Sequence, residues 1–312
     1  MTDMRYLRPR SLEEALEMLA EHWPGAKLLA GGTDLIPLFR AERYSSDSGL
    51  AGLGSQGGCK CGDCRVVPFP DVLVDVGGLD EIKGIRRSDG FLEVGAATVM
   101  ADIASDPLLN EKAPVLAEGA RSIGNPLVRN RATIGGNLAS AAPCADTAPP
   151  LLALDAIVQL ASPEGRREIP IADYFLEYRT TSLRETEMIT GLRIPMPPER
   201  SAGSFEKVRL RKSGSISVAS VAVMMELDGA TCLNARMAVG SVAPIPLRAA
   251  AVEKALEGRR IDAEVATECS RLVQQHITPI DDIRGSAEYR RWVTEAVVAR
   301  TILKSVGIEG TV

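Results

Sequence analysis

Residues 133–138 read Thr-Ile-Gly-Gly-Asn-Leu and open a long stretch of small side chains. The stretch continues over residues 139–149 as Ala-Ser-Ala-Ala-Pro-Cys-Ala-Asp-Thr-Ala-Pro. Because glycine lacks a Cβ atom, paired glycines let a backbone come close to a phosphate or to a flat, rigid ligand. Asp146 is the one charged residue in the stretch, and its carboxylate can accept hydrogen bonds from ligand hydroxyls. Alone, the stretch is equally typical of a glycine-rich loop between packed elements.

A second glycine pair lies about a hundred residues upstream, where residues 30–35 read Ala-Gly-Gly-Thr-Asp-Leu. Apolar residues at 26–30 predict a short strand, and a second apolar run follows at 35–39. A strand that turns through glycines into a helix presents backbone N–H groups to a phosphate. The two loops together favour a phosphate-containing cofactor over two unrelated turns.

A third glycine pattern, Gly-Leu-Gly-Ser-Gln-Gly at residues 52–57, matches the dinucleotide fingerprint G-x-G-x-x-G in letters only. That fingerprint requires a strand before it and a helix after it. Here the preceding residues are polar, and a cysteine-containing segment follows. The sequence therefore does not predict a Rossmann site at this position.

Charge and hydropathy exclude several classes of protein. The 312 residues carry a net charge of -5, and their basic residues are scattered, so no nucleic-acid partner is expected. The chain contains no apolar run of 18 residues, so no membrane span is predicted. Its N-terminus has no apolar segment typical of a signal peptide, which predicts a cytoplasmic protein with reduced cysteines.

The order of elements predicts an α+β fold in two parts. Ser11 and Glu14 form a capping-box pattern before an apolar helical face. Thr98 is expected to cap a helix that reaches about residue 105, residues 123–149 to be irregular, and residues 151–161 to be strand-like. We expect one domain at 1–175, with a first subdomain at 1–58, an inserted loop at 40–70 and a second subdomain at 71–175. Strands followed by helices at 176–312 predict an α+β C-terminal domain.

Taken in order, these motifs resemble the FAD-binding medium subunits of the xanthine dehydrogenase and aerobic carbon monoxide dehydrogenase family, the molybdenum hydroxylases. The resemblance runs nearly from end to end. Besides the two glycine loops, it rests on Tyr-Leu-Arg-Pro at 6–9, Leu-Val-Asp-Val at 73–76, Val-Gly-Ala-Ala-Thr at 94–98, Arg-Ala-Thr at 131–133, Leu-Leu-Ala-Leu-Asp at 151–155, Phe-Glu-Lys at 205–207, Val-Gly-Ser-Val-Ala-Pro at 239–244 and Arg248.

The resemblance implies a two-subdomain FAD module of the vanillyl-alcohol oxidase-like type and an electron-transfer function. A large subunit would carry the molybdenum cofactor, a small subunit would carry two [2Fe–2S] clusters, and electrons would leave the flavin for an external acceptor. The two loops would hold the FAD pyrophosphate, Asp146 would reach hydroxyls near the ribityl chain, and Lys207 would lie near the flavin ring. The implied FAD-binding residues are Ala30, Gly31, Gly32, Thr33, Asp34, Leu35, Thr133, Ile134, Gly135, Gly136, Asn137, Asp146, Leu192 and Lys207.

The 40–70 segment departs from the family pattern, because it is long and contains Cys59, Cys61 and Cys64. Three thiols within six residues are one ligand short of the four that zinc or a [4Fe–4S] cluster usually takes. Cys144 supplies the fourth if the loops meet. A cluster here resembles in kind the 4-hydroxybenzoyl-CoA reductase flavin subunits, whose insertion lies elsewhere. Zinc, a redox dithiol and free thiols stay open as alternatives.

Two other functions compete with the electron-transfer subunit. A stand-alone FAD oxidoreductase of the same fold would need its own substrate base beside the flavin, and Cys144 is the one candidate. The chain could also be an FAD-free maturation or scaffold protein, but the two intact glycine loops argue against this alternative.

Overall fold

The computed structural model describes residues 4–40 and 69–308. The G-x-G-x-x-G pattern at 52–57 and the three clustered cysteines Cys59, Cys61 and Cys64 lie outside these residues. Within the described ranges the chain forms three main sheets, each covered by helices. A short β-hairpin adds a fourth, two-stranded sheet.

The first sheet is parallel, in the strand order β1-β3-β2. Helix α1 begins as predicted, since Ser11 Oγ accepts a hydrogen bond from Glu14 N at 3.1 Å. The Glu14 carboxylate accepts from Arg10 N at 2.5 Å, one residue before the expected partner. The apolar face of α1 is buried against the sheet. The elements of this part are β1 (Arg5–Leu7), α1 (Leu12–Glu21), β2 (Ala26–Leu29), α2 (35–40) and β3 (Val72–Asp75).

The second sheet is antiparallel, in the order β4-β5-β10-β6-β7. Its central strand is Met188–Pro195, which lies beyond the predicted domain end at residue 175. We propose that this domain extends through Pro195. Its strands are β4 (Ile85–Ser88), β5 (Phe91–Gly95), β6 (Ile157–Ser162), β7 (Gly165–Pro170) and β10 (Met188–Pro195), with the hairpin of β8 (Phe175–Glu177) and β9 (Thr180–Thr181) between β7 and β10.

Short helices pack against this sheet, and here the structure differs from three predictions. The region predicted as irregular at 123–149 holds three helices or helix starts, and residues 151–153 are helical rather than extended. The three helices within residues 126–153 span at most six residues each, which is too few for an apolar period to show in the sequence. Thr98 does not cap a helix; its hydroxyl accepts from Gly84 N at 2.9 Å. The helices are α3 (Met100–Ser105), α4 (Pro107–Lys112), α5 (Pro114–Ser122), α6 (Pro126–Arg129), α7 (Ile134–Ala139) and α8 (Ala148–Ala153).

The C-terminal part follows the predicted order of strands and then helices. Its antiparallel sheet has the order β11-β12-β13-β14, and the helices cover one face. The elements are β11 (Ser201–Arg209), β12 (Ser217–Asp228), β13 (Thr231–Gly240), β14 (Leu247–Arg248), α9 (Ala250–Leu256), α10 (Ala263–Ser270) and α11 (Ala287–Ser305). In the described part of the chain, no helix is both long enough and apolar enough to cross a membrane.

Candidate functional site

A cleft of about 920 Å³ opens between the two glycine loops, which the structure brings together as predicted. Residues from the loop at 30–35, from the loop at 132–137 and from the small-residue stretch up to Asp146 line it. Ten of the predicted cofactor residues are part of its wall: Ala30, Gly31, Gly32, Thr33, Asp34, Leu35, Thr133, Gly136, Asn137 and Asp146.

The two loops meet backbone to backbone at Gly31. A Cβ atom at this position would lie 2.0 Å from the carbonyl oxygen of Arg131 and 3.0 Å from Cα of Ala132. No side chain fits in that space, because real Cβ atoms do not approach other atoms closer than about the van der Waals distance. Gly31 therefore lets the loop that follows β2 press directly on the segment that leads into α7.

The first loop offers backbone donors to the cleft. Gly32 has φ +71°, a conformation that favours glycine, and the chain then turns into α2. Within the described residues, the N–H groups of Gly31, Gly32 and Thr33 donate no hydrogen bond. Backbone N–H groups at the start of a helix are suited to bind a phosphate.

The second loop differs from the first, because its backbone donors are already used within the fold. Ile134 N donates to Thr98 O at 3.1 Å and Gly135 N to Ala96 O at 2.8 Å, while Gly136 N donates to Thr133 Oγ1 at 3.2 Å. Ile134 and Gly135 are buried behind the cleft wall. A Cβ at Gly135 would lie 2.7 Å from that of Ala96. This loop therefore shapes the wall without giving the cleft these N–H groups.

Asp146 lies in the wall of the cleft and is held from behind by the C-terminal sheet. Lys207 Nζ lies 2.6 Å from Asp146 Oδ2, with side chains only 3% and 7% exposed, and the Ser217 hydroxyl donates to Asp146 Oδ1. Lys207 also donates to the Ser215 carbonyl at 3.3 Å. The ammonium of Lys207 thus lies behind the carboxylate and does not line the cleft.

Leu192 is the fourth predicted residue that does not line the cleft, besides Ile134, Gly135 and Lys207. It is fully buried in β10, within the core of the second sheet. A β-bulge between Ile189 and Gly191 shifts the register of β10 against β6 just before it. Such a shift changes which side chains face the core, and a local sequence match does not reveal it.

The hairpin β8–β9 contributes cleft residues that the sequence analysis missed. Arg179 lies at its tip with φ +51° and forms an ion pair with Asp34 at 3.6 Å. Leu183, Arg184 and Glu187 follow it in the wall. The only sequence feature there is the short segment Tyr-Arg-Thr-Thr at 178–181. No motif in it marks Arg179, the residue at the hairpin tip, as part of a binding site.

Cys144, the proposed fourth metal ligand, also lines the cleft. Burial raises the pKa of its thiol, and the nearby Asp146 carboxylate raises it further. Both effects favour the neutral thiol. Among residues 4–40 and 69–308, no cluster of three or more histidine, cysteine or acidic side chains is placed to hold a metal ion.

Comparison with known proteins identifies the family of the chain. Residues 57–197 match the family described as the FAD binding domain in molybdopterin dehydrogenase, and residues 204–305 match the carbon monoxide dehydrogenase flavoprotein C-terminal domain. The carbon monoxide dehydrogenase medium chain of Hydrogenophaga pseudoflava is 31% identical over 297 residues, covering 95% of each chain. The chain belongs to the FAD-binding medium subunits of the molybdenum hydroxylases.

A further FAD-binding subunit and a solved structure are also similar to this chain. The xanthine dehydrogenase FAD-binding subunit of Escherichia coli O157:H7 is 30% identical, covering 98% of this chain and 97% of that one. A solved carbon monoxide dehydrogenase from Oligotropha carboxidovorans has a TM-score of 0.86 at 28% identity, with 98% of both chains covered. The predicted fold, an FAD module followed by a C-terminal flavoprotein domain, is confirmed.

The cleft of this medium subunit fits FAD. Its volume lies toward the upper end of the range for small-molecule sites, about 300–1,000 Å³, as a dinucleotide requires. The backbone donors of Gly31, Gly32 and Thr33 suit the pyrophosphate, and small side chains over residues 139–146 leave room for a flat ring. FAD supplies reversible electron acceptance when bound, and the chain orients it and shields it.

The contact at Gly31 predicts the effect of adding one methyl group. Gly31→Ala places a Cβ against the Arg131 carbonyl, so the loops must separate. We expect FAD to bind about five- to a hundredfold more weakly, since overpacking strain costs about 1–3 kcal/mol. The measurement is FAD titration of the deflavinated protein. Gly78→Ala is the matched control, because its nearest neighbour is a flexible Arg8 nitrogen at 3.9 Å. Equal affinity in both variants would refute the close contact.

The buried pair of Lys207 and Asp146 predicts a large loss of stability when one partner is removed. Lys207→Met leaves a buried carboxylate without its cation, and the free energy of unfolding should fall by about 3–5 kcal/mol. Urea denaturation measures it. Adding Asp146→Leu should recover most of the loss. The control is Lys83→Met, whose partner Asp80 is exposed, with a change within about 1 kcal/mol. If the free energy of unfolding of Lys207→Met also changed by no more than about 1 kcal/mol, the pairing would be contradicted.

Proposed function

We propose that this medium subunit holds FAD in the cleft between residues 30–35 and 132–137 and passes electrons from a small iron–sulfur partner to an external acceptor. A large partner subunit carries the molybdenum cofactor and oxidises the substrate. The observation that supports this proposal most strongly is the contact at Gly31, where two loops distant in sequence meet around a cleft. The N–H groups of the first loop have no hydrogen-bond partner among the described residues.

The cleft favours electron transfer over a stand-alone oxidoreductase. A stand-alone enzyme needs a base beside the flavin to take a proton from its substrate. Among the described residues that line the cleft there is no histidine and no tyrosine. Three carboxylates of the wall, those of Asp34, Asp146 and Glu187, are each paired with a basic side chain, which makes them weaker bases. The raised pKa of Cys144 makes its thiol a poor base at neutral pH. Substrate chemistry therefore fits a partner subunit better than this chain.

Electron flow through the assembled complex tests this function. The small subunit is reduced with dithionite, desalted, and mixed without oxygen with its large partner and the oxidised, FAD-loaded chain. We expect the flavin absorbance to bleach as the iron–sulfur absorbance recovers. Addition of NAD, a quinone or oxygen then identifies the acceptor by reoxidation of the flavin. A chain that binds no FAD, or a bound flavin that stays oxidised beside reduced clusters, would overturn the proposal.

We also propose that Cys59, Cys61, Cys64 and Cys144 bind a [4Fe–4S] cluster, with zinc as the rival metal. Support comes from the spacing of the first three thiols and from the place of Cys144 in the cleft wall. A cluster close to the flavin would add one more carrier on the electron path.

Metal analysis of the anaerobically isolated chain decides between these ligands. A cluster predicts about four iron and four sulfide per chain, and their loss when Cys59, Cys61 and Cys64 are changed to serine. Cys144→Ser tests the fourth position, and Cys269→Ala, a buried thiol in α10, is the control. One zinc without sulfide would support the rival metal, and neither iron nor zinc would refute both.

A further inference from the structure

An arginine of the β8–β9 hairpin forms an ion pair with the first glycine loop. Arg179 and Asp34 both line the cleft, and their side chains lie 3.6 Å apart. The hairpin is inserted between two strands of the second sheet, whereas Asp34 follows the last residues of β2 in the first sheet. The ion pair therefore joins two separate parts of the cleft wall.

The position of Asp34 matters for an anionic cofactor. It directly follows Gly31, Gly32 and Thr33, whose N–H groups donate to no acceptor among the described residues. The pyrophosphate of FAD is a dianion, and a carboxylate next to it would repel it. Among the described residues, the cation paired with this carboxylate is Arg179. A cation is therefore present where two anions would otherwise meet.

The ion pair of Arg179 and Asp34 differs from the buried pair of Lys207 and Asp146. The side chains of Lys207 and Asp146 are only 3% and 7% exposed, whereas those of Arg179 and Asp34 are 30% and 52% exposed. An exposed ion pair contributes little to stability. Arg179 can therefore leave Asp34 for a ligand that carries more negative charge.

The hairpin holds the backbone of Arg179 in place at its tip. Arg167 donates to the Ser182 carbonyl at 2.9 Å, and Ser182 N donates to the Tyr174 carbonyl at 2.9 Å, so the two ends of the hairpin are joined. A guanidinium on a fixed backbone loses little freedom on binding, and its planar donors match phosphate oxygens in pairs. Arg179 is therefore suited to bind a phosphate group.

The charge of Arg179 also acts beyond the first loop. Burial raises the pKa of the Cys144 thiol, and the positive charges of Arg284 and Arg179 counteract part of that rise. Cys144 belongs to the small-residue stretch, whereas Asp34 belongs to the first loop. The guanidinium is therefore close enough to act on both parts of the cleft, which an extended dinucleotide would occupy.

We propose that Arg179 makes the cleft select ligands with a pyrophosphate, because its guanidinium leaves Asp34 and binds the pyrophosphate of FAD. The inference rests on the proposed function, which places FAD in this cleft. Asp34 and the pyrophosphate compete for one guanidinium, so removal of the cation and removal of the carboxylate must change FAD affinity in opposite directions. An ion pair that only fastened the hairpin would be broken by either change, and both changes would then lower the affinity.

FAD titration of the deflavinated wild type and three variants tests the proposal. Arg179→Gln should bind FAD about tenfold more weakly, because a hydrogen bond between charged groups is lost. Asp34→Asn should bind FAD about threefold more tightly, since the competing carboxylate is gone. Arg166→Gln is the control and should bind like the wild type, because Arg166 is 73% exposed on β7 and does not line the cleft. Weaker binding by Asp34→Asn, or unchanged binding by Arg179→Gln, would overturn the proposal.

Riboflavin supplies the second measurement, because it carries the flavin ring without a phosphate. Its affinity should be the same in all four proteins, and added salt should weaken FAD binding less in Arg179→Gln than in the wild type. Equal melting temperatures would show that the variants are folded. Weaker riboflavin binding by Arg179→Gln would mean that Arg179 shapes the cleft without selecting the pyrophosphate. If the wild-type chain itself binds no FAD, the proposed function fails instead.

Discussion

The architecture depends on a backbone contact that only glycine permits. Gly31 lies against the Arg131 carbonyl at a distance that excludes any side chain, and Gly135 lies almost as close to Ala96. The first contact joins the parallel sheet to the segment before α7, and the second joins α7 to the end of β5 in the antiparallel sheet. The cofactor cleft is the space left between two sheets that are fastened together at these points.

The C-terminal domain completes the site from behind. Lys207 and Ser217, on β11 and β12, hold both oxygens of Asp146, while Ser241 at the end of β13 binds the Pro143 carbonyl. The C-terminal domain thus holds the small-residue stretch after the second loop in position through Asp146 and Pro143.

Local patterns predicted part of this structure. The Ser11 cap follows from capping chemistry, the glycine loops from missing Cβ atoms, and the strands of the C-terminal sheet from apolar runs. The short helices at 126–153 left no period to detect. Contacts with residues distant in sequence use the N–H groups of 134–136 and bury Leu192. Local patterns could not predict either feature. Arg179 reaches the cleft through a hairpin tip, which no local motif marks.

The central claim is that this cleft holds the FAD pyrophosphate on the first loop, with the second loop as its wall. An experimental structure of the FAD-loaded chain tests it most directly. The account predicts pyrophosphate oxygens within hydrogen-bond distance of the N–H groups of Gly31, Gly32 or Thr33, and Asp146 still bound to Lys207. A pyrophosphate bound away from residues 30–35, or a cofactor outside the cleft, would contradict it.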